Sequence, residues 1–121
     1  MQTLLIAFSA LLLGFNPYPE PSSLTNPQFP GGSEAMSIYF DEYLQYPFSA
    51  RESGLEGEVV VSFIVEKSGS VTTPHVVKGL SPECDAAALR AVVLMPKWTP
   101  ARNNGDLVRC RTAVRLVFRL N

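Results

Sequence analysis

At 121 residues the chain is long enough for one modest domain. It is 46% hydrophobic and 17% charged, too apolar for a solvated tail, and its net charge of -1 gives no case for a nucleic-acid binder. The charge is unevenly spread: eight acids and one basic residue, Arg51, precede Lys67, whereas six basic residues and one acid, Asp106, fall from Lys97 onward.

Leu4 to Phe15 is an apolar run. A bilayer-crossing helix takes about 20 residues, so the run better suits the hydrophobic region of a secretory signal. It predicts export, either with cleavage or with the run kept as a weak membrane tether. Asn16 to Gly32 is rich in Pro, Ser and Asn and reads as an extended linker. The expected organisation is therefore an apolar segment over 1–15, a linker over 16–32 and a domain over 33–121.

Ser33 is the candidate cap of a first helix, along which Ile38, Tyr39, Phe40, Tyr43 and Leu44 recur at helical spacing. Pro47 ends it, because the residue before proline disfavours the α conformation. A second helical turn is predicted from Pro47 to Ser53, closed by Gly54. Glu58 to Glu66 reads as the central strand, with apolar residues on both faces. Lys67-Ser68-Gly69-Ser70 turns the chain into a hairpin partner over Val71–Lys78. Pro74 cannot donate to a ladder, so that partner lies at an edge or carries a bulge.

Ser81-Pro82-Glu83 is a helix start, and Cys84, Ala87, Ala88, Ala91, Val92 and Met95 form its apolar stripe. Pro96 stops the helix. The segment Met95–Gly105, with the single tryptophan Trp98 as a wedge against the sheet, carries the chain into a last strand over Leu107–Leu120. There Val108, Cys110, Thr112, Val114, Leu116, Phe118 and Leu120 alternate with Leu107, Arg109, Arg111, Ala113, Arg115, Val117 and Arg119. One face is core and the other is mostly arginine. A strand this long outruns the helix above it, so part of it should lie open. The order α-β-β-α-β predicts an α+β domain with two helices on one face of a small three-stranded antiparallel sheet.

Cys84 and Cys110 share the core side. They are either a disulfide, as an exported protein would allow, or two buried thiols. No catalytic or metal constellation is present in the sequence: His75 is the only histidine, and no phosphate loop or paired carboxylates occur. No enzyme activity, cofactor or metal is expected. What remains is the edge of the last strand. Its free backbone groups are a template for an added strand, and its arginines favour an acidic peptide. Equally, the arginines are the charge that protects an edge from aggregation.

Several segments taken in order are specific. Tyr46-Pro47-Phe48-Ser49-Ala50-Arg51, then Gly57 and the strand from Glu58, resembles the opening of the TonB C-terminal domain. Lys67-Ser68-Gly69-Ser70-Val71 resembles its strand-connecting turn. Asp85-Ala86-Ala87-Ala88-Leu89-Arg90, Met95-Pro96-Lys97-Trp98-Thr99-Pro100 and Asn104-Gly105 resemble its second helix and connector, and Pro27-Gln28-Phe29-Pro30-Gly31-Gly32 a lead-in of one of its branches. The resemblance spans roughly residues 27–121 and implies a TonB/TolA C-terminal-like fold.

It further implies a periplasmic module whose last strand, with Arg111, Ala113, Arg115, Val117 and Arg119, pairs with an extended segment of a TonB-dependent outer-membrane receptor, near Gln45 and Tyr46. An inner-membrane proton-channel complex and a homodimer are the other partners it implies. The rival expectation is a structural or adaptor protein of the cell envelope that uses the same sheet without transport.

Overall fold

A computed structural model describes residues 23–121. The predicted export segment over 1–15 and the first part of the linker, 16–22, lie outside the described residues. In chain order the elements are β1 (Leu24–Thr25), α1 (Gly32–Tyr43), α2 (Phe48–Glu52), β2 (Gly57–Val65), β3 (Val71–Lys78), α3 (Pro82–Val93), β4 (Ala101–Asn103), β5 (Asp106–Val108) and β6 (Cys110–Phe118). The strands form two antiparallel sheets, ordered β3-β2-β6 and β1-β4-β5.

β2 organises the larger sheet. Val59, Val61, Phe63 and Val65 point to one side and are fully buried. Val114, Leu116 and Phe118 of β6 join them from the neighbouring strand, in the register that pairs Val61 with Val114 and Val59 with Leu116. Burying each such side chain contributes about 1.5–3 kcal/mol. α3 lies on this face through Cys84, Ala87, Ala88, Ala91 and Val92. Its alanines let the helix approach closely, and the Ser81 hydroxyl accepts from the Cys84 N–H (3.1 Å) to cap it.

Trp98 fills the end of the core, edge-on to Phe63 and Phe29 with ring centroids 5.2 and 5.9 Å away. Its backbone also locks the β2–β3 turn, since the Trp98 N–H donates to the Gly69 carbonyl (2.9 Å). A Cβ at Gly69, where φ is +90°, would lie 2.2 Å from the Trp98 carbonyl oxygen. Glycine is required there both by backbone conformation and by space.

The structure departs from the sequence reading in three places. First, the linker does not reach 32: β1 pairs with β4, Gln28 bridges to Thr99, and Phe29 is buried in the core. The residues between the prolines, Leu24, Thr25 and Gln28, keep the N–H groups that an edge pairing needs. Second, α1 begins after Gly31, which adopts φ +89° and caps without a side chain, so Ser33 lies inside the helix. Third, the long last strand is two strands. Val108 pairs with Ala101 in the small sheet and Cys110 with Val65 in the large one, with Arg109 at the switch. The hairpin between β4 and β5 turns on Asn104 and Gly105, both at positive φ.

Of the two readings left open for the cysteines, the structure has free thiols, Cys84 buried and Cys110 half-buried. Cys110 starts β6 opposite Val65, whereas the Cys84 thiol lies near Tyr46, which packs on Phe118 at the other end of that strand. Eight residues of strand span about 26 Å. Sharing a face did not bring the two together.

Candidate functional site

β6 is an edge. It pairs with β2 through nine consecutive residues without a bulge, and no strand occupies its other side among the described residues. Alternate N–H and C=O groups therefore face away from the sheet.

The C-terminal half of this edge is the floor of a groove of about 390 Å³. α1 forms the opposite wall with Met36, Phe40 and Asp41, and Leu44 and Tyr46 close one end. α1 is suited to this position because no residue of it is fully buried. It is held to the body by its aromatic side: Tyr39 packs on Phe29 (ring centroids 5.5 Å) and donates to the Ala91 carbonyl (2.8 Å).

Tyr46 is the best-anchored residue of the site. Its ring packs edge-on to Phe118 (5.4 Å), the Arg51 guanidinium lies 4.9 Å from the ring centre, and its phenol donates to the Leu55 carbonyl. Burial raises the phenol above its ordinary value; Glu56 and Cys84 add to this and Arg51 opposes it. The Tyr-Pro pair thus fixes a ring beside the end of β6. Gln45, its neighbour, is exposed on the other side, next to Glu42, Arg90 and Leu94. Tyr46 meets the strand and Gln45 does not.

Arg111, Ala113, Arg115, Val117 and Arg119 are all exposed on the sheet face that carries no helix. Their charges, however, are largely answered from β2. Glu58 takes Lys78 of β3 (3.0 Å) on one side and Arg115 of β6 (3.4 Å) on the other. At the far end Glu66 accepts from the Thr72 hydroxyl and receives Arg109 through two 2.9 Å bonds. Arg111 donates to the buried Ser62 hydroxyl (3.2 Å). Both glutamates are held below their usual range, Glu58 first by the Lys78 hydrogen bond and Glu66 first by that of Arg109. Among the described residues, Arg119 is the arginine of this face without an ion-pair or hydrogen-bond partner.

The α1 wall escaped sequence reasoning. Its signal was available: Met36, Phe40 and Leu44 recur every fourth residue on the predicted helix. They were indistinguishable from a core stripe until α1 was seen to sit beside an open edge.

Residues 42–120 match the family of Gram-negative bacterial TonB protein C-terminal domains. The chain belongs to this family. The solution structure of the Helicobacter pylori TonB C-terminal domain, residues 179–285, is similar at 27% identity and a TM-score of 0.54, covering 71% of this chain and 78% of that one. A shorter form of the same domain, residues 194–285, is similar at 30% identity and a TM-score of 0.51, covering 69% and 90%. No curated protein matches the chain. The family is a non-enzymatic module of TonB-dependent transport, periplasmic in Gram-negative bacteria, that interacts with outer-membrane proteins.

Proposed function

We propose that this TonB C-terminal domain binds an extended segment of an outer-membrane receptor by strand addition to β6, in the energy-dependent transport of nutrients or siderophores. One observation carries the reading: a regular nine-residue edge lies open beside a groove that already has a second wall. Strand addition takes affinity from main-chain hydrogen bonds and specificity from alternate side chains. The binding surface is the β6 edge with Arg111, Ala113, Arg115, Val117 and Arg119, and Tyr46 at its end. Gln45 faces α3 and stands outside this surface. The protein acts in the periplasm, delivered by its N-terminal apolar segment, where an inner-membrane proton-channel complex and a second copy of the chain are its further partners.

Titration of the isotope-labelled chain with receptor N-terminal segments tests this. Amide shifts should concentrate along Arg111–Leu120. Their absence at saturating peptide would sink strand addition and favour a cell-envelope adaptor that uses another surface.

A further inference from the structure

We propose that α1 and Arg119 together select the side-chain pattern of the segment that enters the groove: apolar residues on the α1 side, and an acid on the opposite side, at Arg119. The inference rests on the strand-addition reading and adds the chemistry of the occupant.

A strand laid along β6 sends alternate side chains to the two faces of the sheet. On the helix-bearing face they meet Met36 and Phe40, both half-buried and apolar, above Leu116 and Phe118. On the other face they run beside the arginine row. There Arg115 shares Glu58 with Lys78, Arg109 is held by Glu66, and Arg111 covers Ser62. Among the described residues, Arg119 is the arginine that brings an unanswered charge to the groove. On the α1 wall the charge has the opposite sign, because Asp41 lines the same groove. An acid on the α1 side of the occupant therefore meets repulsion, and one on the Arg119 side meets attraction. The two walls read opposite faces of one strand, so they set its face as well as its composition.

The test uses the full chain and synthetic seven-residue peptides of alternating valine and threonine. The first peptide carries one glutamate in place of a threonine, the second a lysine at that position, and the third its glutamate in place of a valine. Amide shifts over Arg115–Arg119 report binding. An exposed ion pair changes affinity by up to about fivefold, so the second peptide should bind about fivefold more weakly than the first. It should recover against Arg119→Glu, where the first peptide loses affinity. The third should bind more weakly than the first, and Asp41→Asn should narrow that gap.

Phe40→Ser and Met36→Ser should each weaken the first peptide, whereas Phe40→Leu should keep it. The two serine variants guard against one failing to fold. If all three peptides shift β6 amides equally, or if charge exchange at Arg119 rescues nothing, the selection is overturned while strand addition stands. If no peptide of any pattern shifts those amides, both readings fall.

Discussion

The larger sheet has two edges, and they are built differently. β3 is broken by Pro74, which has no N–H to offer, and by a register shift around Thr73, whose φ of 47° is rare for a β-branched residue. β6 has nine residues in unbroken register, no proline and no positive φ. Proteins blunt an edge they need to keep unpaired. Here one edge is blunted by covalent structure, and the other is left regular and is bordered by a helix. The contrast teaches that openness at β6 is not a by-product of a small sheet, since the same sheet closes its other side.

The comparison can be broken most severely at Trp98, which anchors the β2–β3 turn on the closed side. Trp98→Ala should cost about 3–5 kcal/mol, because the buried ring cannot be replaced by collapse. Urea denaturation measures it. Peptide binding at β6 should survive wherever the variant is still folded; a stable variant that no longer binds would show that the open edge lies elsewhere. Gly69→Ala acts on the same turn from the other partner. Its positive φ and the close Trp98 carbonyl predict a loss of about 1–3 kcal/mol, read by the same denaturation, with β6 amide shifts unchanged.

A smaller effect comes from the glutamates that tie both edges to β2. The folded values of Glu58 and Glu66 lie below the ordinary 4.5. Their contribution is fully present above that value and is lost as pH falls below it, through the lowered folded values. The thermal midpoint should therefore fall as pH is taken from neutral down past 4.5. Glu66→Gln should flatten part of that fall; an unchanged slope would show that the bonds to Arg109 and Thr72 do not survive in solution.

The smallest change in stability is expected at Pro74→Thr, about 0.5 kcal/mol at a half-buried edge position. Its consequence is qualitative. It restores an N–H to the closed edge, and sedimentation should show concentration-dependent association stronger than that of the parent chain. Association at equal strength in both would erase the distinction between the edges.

Much of this was legible in the sequence where a period had room to repeat. β2, β3 and α3 each span two or more repeats of their pattern, and Val59–Val65 and Cys84–Val92 lie where alternation and helical spacing put them. The small sheet was not legible, because β1, β4 and β5 have two or three residues each and carry no measurable period. The break at Arg109 was hidden because alternation continues straight through a change of partner. The arginine row was plain, but its availability was not. Glu58 and Glu66 stand on the same face of β2 at its two ends, and only the register showed that they reach Arg115 and Arg109. Helix capping at Gly31 left no trace to read, since it uses no side chain.

The pairing of β1 with β4 has a mechanical consequence. A pull arriving from the N-terminal side enters the described fold at Ser23, which is bonded to Asn104. The load then meets the two-residue β1, the paired bonds between Gln28 and Thr99, and the Phe29 ring lodged against Trp98, before it reaches α1. These contacts act as a clasp upstream of the groove. Traction strains the small sheet first, so the helical wall beside β6 keeps its place while the chain is under tension.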